Sequence, residues 1–155
     1  MKAVVFDMDG LMFDTERLAI LAWDYAGEKM GLGKAGYMVY KTLGINVEAS
    51  NQIWKKEFGD QYNEEELWKY TREFNNDFYA NNKVPVKKGL YVLLDYLKAN
   101  GYKLAVASST SKRGVERNLK SAGVLEYFDA VICGDMVEKS KPEPQIYLKA
   151  CEALG

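Results

Sequence analysis

The stretch Lys2-Ala3-Val4-Val5-Phe6-Asp7-Met8-Asp9-Gly10 decides how this chain is read. Its first half is a short β-branched and aromatic run. It breaks at Asp7-Met8-Asp9-Gly10 as a buried strand does when it ends in a loop. The pattern returns twice: Leu104-Ala105-Val106-Ala107 runs into Ser108-Ser109-Thr110-Ser111, and Ala130-Val131-Ile132-Cys133 runs into Gly134-Asp135. Three strands are therefore expected, with helices between and after them. Leu90, Leu93, Leu94 and Leu97 fall at i, i+3, i+4 and i+7, and Gly101 is placed to cap that helix. Val115, Leu119 and Ala122 follow and are stopped by Gly123. Tyr147, Ala150, Cys151 and Leu154 form a third apolar face behind Pro142 and Pro144, which suit a helix start but not its interior. Strand, helix, strand, helix, strand, helix, with continuously apolar strands, predicts an α/β fold with a parallel sheet covered on both faces.

Residues 16–82 read differently. They contain no convincing strand and are rich in aromatics at helical spacing. Leu67, Tyr70, Thr71, Phe74 and Phe78 form one stripe, entered through Asn63 with Glu66 three residues later as a capping-box signal. Trp23, Trp54 and Trp68 all lie here and are expected to pack as the core of a small helical unit. The expected organisation is an α/β core from residues 1–15 and 83–155 with a helical insertion, residues 16–82.

Composition narrows the function. With 155 residues, 21 basic against 22 acidic side chains and 48% apolar residues, the chain can bury a real core. The balanced charge favours neither nucleic acid nor a membrane surface as partner. No apolar run approaches the ~18 residues of a membrane helix and no signal-peptide pattern opens the chain, so a cytoplasmic location is expected. The chain is expected to be a monomer or weak oligomer. There is no histidine, which removes His-based acid–base chemistry, Ser-His-Asp and Cys-His nucleophiles and the usual His-bearing zinc sites. Cys133 and Cys151 fit no CxxC spacing. Catalysis is left to carboxylates, hydroxyls and lysines.

Parallel sheets bind ligands at the carboxyl ends of their strands. Asp7 and Asp9, Ser108, Ser109 and Thr110, and Lys141 should therefore meet in one crevice. Each set has a plain structural alternative: a turn that favours Asp and Gly, the N-cap of a helix starting near Lys112, and a solvated surface lysine close to Lys139. Taken together they form a kit for phosphoryl transfer. One carboxylate can attack phosphorus, a second carboxyl can protonate the leaving oxygen, and the hydroxyl-bearing helix start and one cation can hold phosphate oxygens. A carboxylate ~4 Å from a phosphate dianion is repelled by about 8 kcal/mol at an effective dielectric near 20, more than one lysine offsets. A divalent metal is implied, and Mg²⁺ suits oxygen ligands.

At this point the chain resembles the haloacid dehalogenase-like (HAD) superfamily and, within it, the β-phosphoglucomutase-like phosphatases. The run from Val5 to Glu16 resembles the family's first motif, Leu104 to Thr110 the second, and Lys141-Pro142-Glu143-Pro144 with Ile146-Tyr147 the third. The resemblance implies a Rossmann-like core with a helical cap. It makes Asp7 the nucleophile and a metal ligand, and Asp9 the general acid/base whose backbone carbonyl also binds Mg²⁺. Ser108, with Ser109, Thr110 and Gly10, would bind phosphate, and Lys141 would steady Asp7 and the phosphate. The cap would hinge near Asp14-Thr15-Glu16 and Val84-Pro85-Val86, and Thr42-Leu43-Gly44-Ile45-Asn46 resembles its substrate-specificity loop.

Two departures from the family pattern bear on function. The mutases of the group carry a His after the first motif and an Arg after the cap-loop glycine, where this chain has Ala19 and Val47. Family members also continue into a fourth strand ending in an acidic motif that completes the Mg²⁺ site. The sequence reaches Gly155 without it, and neither Glu143, Glu152 nor Asp135 resembles those acids. The natural chain is expected to continue, since loss of that strand would bare an apolar edge from Lys2 to Phe6. The leading expectation is a Mg²⁺-dependent phosphomonoesterase acting through an aspartyl phosphate on a small phosphorylated metabolite. The alternatives are a β-phosphoglucomutase-like sugar-phosphate mutase and a non-catalytic truncated fragment that binds a partner through its exposed sheet edge. Dehalogenation is disfavoured by the second carboxylate, Asp9.

Overall fold

In chain order the elements are β1 (Ala3–Phe6), α1 (Thr15–Lys29), α2 (Met38–Thr42), α3 (Val47–Phe58), α4 (Glu64–Asn81), α5 (Leu90–Ala99), β2 (Lys103–Ser108), α6 (Lys112–Ala122), β3 (Ala130–Cys133) and α7 (Gln145–Leu154). The structure is a computed structural model and describes residues 2–42, 47–139 and 141–155. It divides into two compact units, Met1–Asp14 with Lys83–Gly155, and Thr15–Asn82. Thr15, expected to close the first core segment, is instead the first residue of α1.

The three strands form one parallel sheet in the order β1-β2-β3, with Phe6 opposite Val106 and Ser108 opposite Cys133. Central β2 is the driest element, because each of its faces is covered. Ala105 and Ala107 are small enough for α7 to lie close, and Ile146, Ala150 and Leu154 pack there with Ile132 and Val5. Leu104 and Val106 point to the other face, as strand alternation requires. On that side Phe6 meets Phe128 edge-on at 5.9 Å. Among the described residues β1 pairs only with β2, and its burial rises from exposed Ala3 to buried Phe6.

Two helical phases differ from expectation. In α5 the buried residues are Leu90, Leu94 and Leu97, while Leu93 is 45% exposed. In α7 the buried face is Ile146, Ala150 and Leu154, at i, i+4 and i+8, whereas Tyr147 and Cys151 are exposed. Counting Tyr and Cys as plainly apolar shifts that face by one residue. A tyrosine has a polar end and need not face the core.

Asp129, just before β3, ties the sheet together. Its backbone N–H donates to the Leu104 carbonyl, its carboxylate accepts from the Leu104 N–H at 2.8 Å, and Lys98 and Lys103 lie 3.4 Å from its two oxygens. The Leu104 amide hydrogen bond, with help from the two lysines, holds this carboxyl below the usual carboxylate range.

The helical unit packs α1 along α4 around Ala26, Ala35, Met38, Trp54, Tyr62 and Leu67. Trp54 is fully buried at the centre, stacked on Tyr62 at 5.4 Å and edge-on to Trp23 at 5.2 Å. Trp68 departs from the expected core role: it is only partly buried, and its indole N–H donates outward to Glu64. Asn63 caps α4 as expected, accepting from the Glu66 N–H. Among the described residues, the buried Trp54 indole N–H and Thr71 hydroxyl have no hydrogen-bond partner. No described helix is long and apolar enough to cross a membrane.

Candidate active site

Because the strands are parallel, the residues leaving β1, β2 and β3 emerge at one edge of the sheet. After β1 the alternation continues for one more step. Phe6 and Met8 are buried, while Asp7 and Asp9, out of phase with them, stay partly open. The loop then folds on itself: the Met8 carbonyl accepts from the N–H groups of Met12 and Phe13, and the Gly10 N–H donates to the Phe13 carbonyl. Gly10 has φ of 76°, a conformation that favours glycine. Its amide bonds within that turn, so in the geometry described here Gly10 shapes the loop.

Lys141, 134 residues further along the chain, reaches this loop. Its Nζ donates to Asp7 Oδ1 at 2.7 Å and to the Ala107 carbonyl at 3.0 Å. Burial pulls its ammonium down, but the hydrogen bond and charge of Asp7, with Tyr147 beside it, outweigh burial and leave the pKa above that of an ordinary lysine. Lys141 therefore carries its charge into the site. The plain alternative of a solvated surface lysine fails on this geometry.

Asp9 is gripped by the end of β2. Ser108 Oγ donates to Asp9 Oδ2 at 3.0 Å and Thr110 Oγ1 donates to the same oxygen at 2.8 Å, while Ser108 Oγ accepts from the Thr110 N–H. Ser108 is fully buried, and in the geometry described here it links Asp9 to the loop that leaves β2. Ser109 is the exposed member of the trio. Five of the six expected residues thus join in two separate linkages, Lys141 with Asp7 and the hydroxyls of Ser108 and Thr110 with Asp9, while Ser109 lies between those two hydroxyls in the chain.

The helix start that follows is built differently from expectation. Ser111 occupies the N-cap of α6 but makes no side-chain cap bond. Asp135, from the loop after β3, instead accepts from the Lys112 N–H with both oxygens, at 3.0 and 3.2 Å. The Asp135 carboxylate thus takes the capping role that Ser111 leaves. The loop can come this near because residue 134 is glycine: a Cβ there would lie 2.1 Å from the Ser109 carbonyl oxygen. Asp135, Gly134 and Tyr147 are the residues that sequence reasoning missed. A Gly-Asp pair at a strand end was the available signal for the first two.

The expected hinge has a defined anchor. Asp14 N–H donates to the Pro85 carbonyl, Lys87 N–H to the Met12 carbonyl, Phe13 pairs antiparallel with Val86, and Lys87 Nζ lies 3.0 Å from Asp14 Oδ1. Thr15 and Glu16 belong to the first turn of α1. Of the expected specificity loop, Thr42 is buried and donates to the Met38 carbonyl, and residues 43–46 lie outside the described residues.

For a metal, the donor set at Asp7 and Asp9 is all oxygen, the kind a hard divalent cation takes. Among the described residues no cluster of three or more His, Cys, Asp or Glu side chains forms. The Asp7 carboxylate and the Asp9 backbone carbonyl are oxygens of the kind that would suit Mg²⁺.

Residues 4–155 match the family described as haloacid dehalogenase-like hydrolase. The chain belongs to that family. It is 29% identical over 155 residues to a phosphorylated carbohydrates phosphatase of Thermotoga maritima, covering all of this chain and 71% of that protein. It is 30% identical over 160 residues to a phosphoglycolate phosphatase of Aquifex aeolicus, with the same two coverages, 100% and 71%. A crystal structure of a candidate β-phosphoglucomutase from Thermotoga maritima superposes with a TM-score of 0.79 at 29% identity, covering 99% of this chain and 71% of that one. The HAD-like fold and an enzyme of the hydrolase and phosphatase kind follow from these matches.

Proposed function

We propose that this HAD-like hydrolase cleaves phosphomonoesters of small metabolites through an aspartyl phosphate on Asp7. The observation that carries the reading is the Lys141–Asp7 contact, which places a charged lysine on the first carboxylate of the β1 loop across 134 residues of sequence. In the first step an Asp7 carboxylate oxygen bonds to phosphorus as the ester oxygen leaves and takes a proton from the Asp9 carboxyl. In the second, Asp9 accepts a proton from water, the water oxygen attacks phosphorus, and Asp7 is released with inorganic phosphate. The Ser108 and Thr110 hydroxyls fix the orientation of Asp9 for both transfers, and in this reading Ser108, Ser109, Thr110 and Gly10 line the place the phosphate would take. Lys141 orients Asp7 and offsets the charge that accumulates beside it.

Asp7, with Asp9, would hold Mg²⁺, which when bound supplies further neutralisation of phosphate charge. The helical unit, Thr15–Asn82, serves in this reading as the cap, hinging where Asp14 and Pro85 meet. Hydrolysis is favoured over sugar-phosphate rearrangement, since Ala19 and Val47 stand where the mutases carry His and Arg. The test is acid-quenched mass spectrometry of the protein with p-nitrophenyl phosphate and MgCl₂. A phosphate adduct on the peptide containing Asp7 is expected. Turnover with an adduct elsewhere, or with none in a pre-steady-state quench, would overturn the assignment. Incubation with a hexose phosphate and analysis of the product separates loss of phosphate from its migration.

A further inference from the structure

We propose that Tyr147 is the positioning residue of Lys141, its ring holding the ammonium against Asp7. The inference rests on the Asp7–Lys141 reading above. Lys141 Nζ lies 5.0 Å from the centroid of the Tyr147 ring, in addition to its contacts with Asp7 Oδ1 and the Ala107 carbonyl. Carboxylate, carbonyl and ring thus bound the ammonium on three sides. A lysine carries a compact charge on a flexible stem and is not held in one place by two acceptors alone. The ring closes off the rotamers that would swing it away.

Three features make this a built arrangement. Tyr147 neighbours Ile146, which is 1% exposed, on a helix whose Ile146, Ala150 and Leu154 pack against Ala105 and Ala107. The ring is therefore carried by an element seated on the same strand whose Ala107 carbonyl receives Lys141. Next, Tyr147 itself is 38% exposed, so core burial does not account for its place. Lastly, the negative face of an aromatic ring attracts a cation while carrying no net charge. A third carboxylate could hold the ammonium as well, but it would repel an incoming phosphate.

The experiment compares the wild type with Tyr147→Leu, which removes the ring, and Tyr147→Phe, which removes only the hydroxyl. Two readouts are taken across pH: hydrolysis of p-nitrophenyl phosphate with MgCl₂, and the rate at which acetic anhydride acylates Lys141, followed by peptide mass spectrometry. In Tyr147→Leu, kcat should fall about 5- to 30-fold with KM changed less. Acylation of Lys141 should quicken several-fold. Tyr147→Phe should restore both readouts to within about twofold of wild type. Wild-type behaviour of the Leu variant in both readouts overturns the proposal, and a Phe variant as impaired as Leu overturns the role of the ring. If Tyr147→Leu does not fold by circular dichroism, Tyr147→Gln is the second ringless variant. Absence of hydrolysis in the wild type would count against the phosphatase mechanism, whereas the acylation series would still decide the role of Tyr147.

Discussion

Asp7 and Trp54 are each the centre of one unit, and they are held in opposite ways. Asp7 sits at a strand end, partly open, fixed by a charge from a segment 134 residues away. Trp54 is fully buried and packed by Trp23, Phe58 and Tyr62, all within the helical unit, and its indole N–H has no partner among the described residues. The α/β unit places its charged groups where several strands end and fastens them with directional bonds. The helical unit gains its stability from shape and apolar area, and tolerates an unsatisfied donor in doing so. Substitutions should accordingly separate into those that stop chemistry in a folded protein and those that unfold a unit.

Asp7→Asn should produce the largest effect, a loss of phosphomonoester hydrolysis of about 10⁴-fold or more with an unchanged circular dichroism spectrum. Retained turnover would remove Asp7 from its role and break the contrast at its strongest point. Trp54→Ala should destabilise the protein by about 3–5 kcal/mol in urea titration. Trp54→Phe should cost clearly less than Ala, because the lost N–H makes no bond. A Phe variant as unstable as Ala would mean that the indole nitrogen is satisfied in solution.

Gly134→Ala tests the α/β unit by sterics alone. The added methyl meets the Ser109 backbone, so a loss of about 1–3 kcal/mol is expected, together with reduced hydrolysis as the Ser109–Thr110 turn shifts. Unchanged stability would show that this close approach relaxes freely.

The smallest effects lie at the extremes of pH, where the two units should weaken in opposite directions. Asp129 has a folded pKa below the usual carboxylate range, so its stabilisation is complete above the ordinary value and is lost as pH falls through the folded one. In Tyr62, burial and the nearby Glu64 charge push the phenol up to about 12. Its contribution is present below the ordinary tyrosine value and disappears as pH rises from there through about 12. Asp129→Asn should flatten the acid side of the stability profile, and Tyr62→Phe the alkaline side. Urea midpoints measured across pH for both variants check this, and a Phe variant as alkali-sensitive as wild type would remove Tyr62 from that role.

The legible parts of the chain were those in which a single segment carries its own signal. The three strands are continuous apolar runs ended by polar residues, and the helix from Leu90 ends near Gly101 because its carbonyls need a cap there. Asp7, Asp9 and Lys141 were legible as a set because parallel strands bring their ends to one edge. The closure of α6 by Asp135 was not, since it joins residues that only the folded backbone brings together. The phase of α7 was misread because Tyr147 fits an apolar stripe by composition while its ring serves a cation.

The two chain passages that leave the sheet unit, at Asp14 and at Pro85, are hydrogen-bonded to each other and reinforced by Lys87. Viewed from the sheet, the whole segment between them is a loop whose two ends are tied together. Closing such a loop costs only about 0.6 kcal/mol more for each doubling of its length. The sheet is thereby insulated from what is inserted. The carboxylates and the lysine of the sheet unit can therefore keep one geometry while the inserted segment is lengthened, shortened or exchanged.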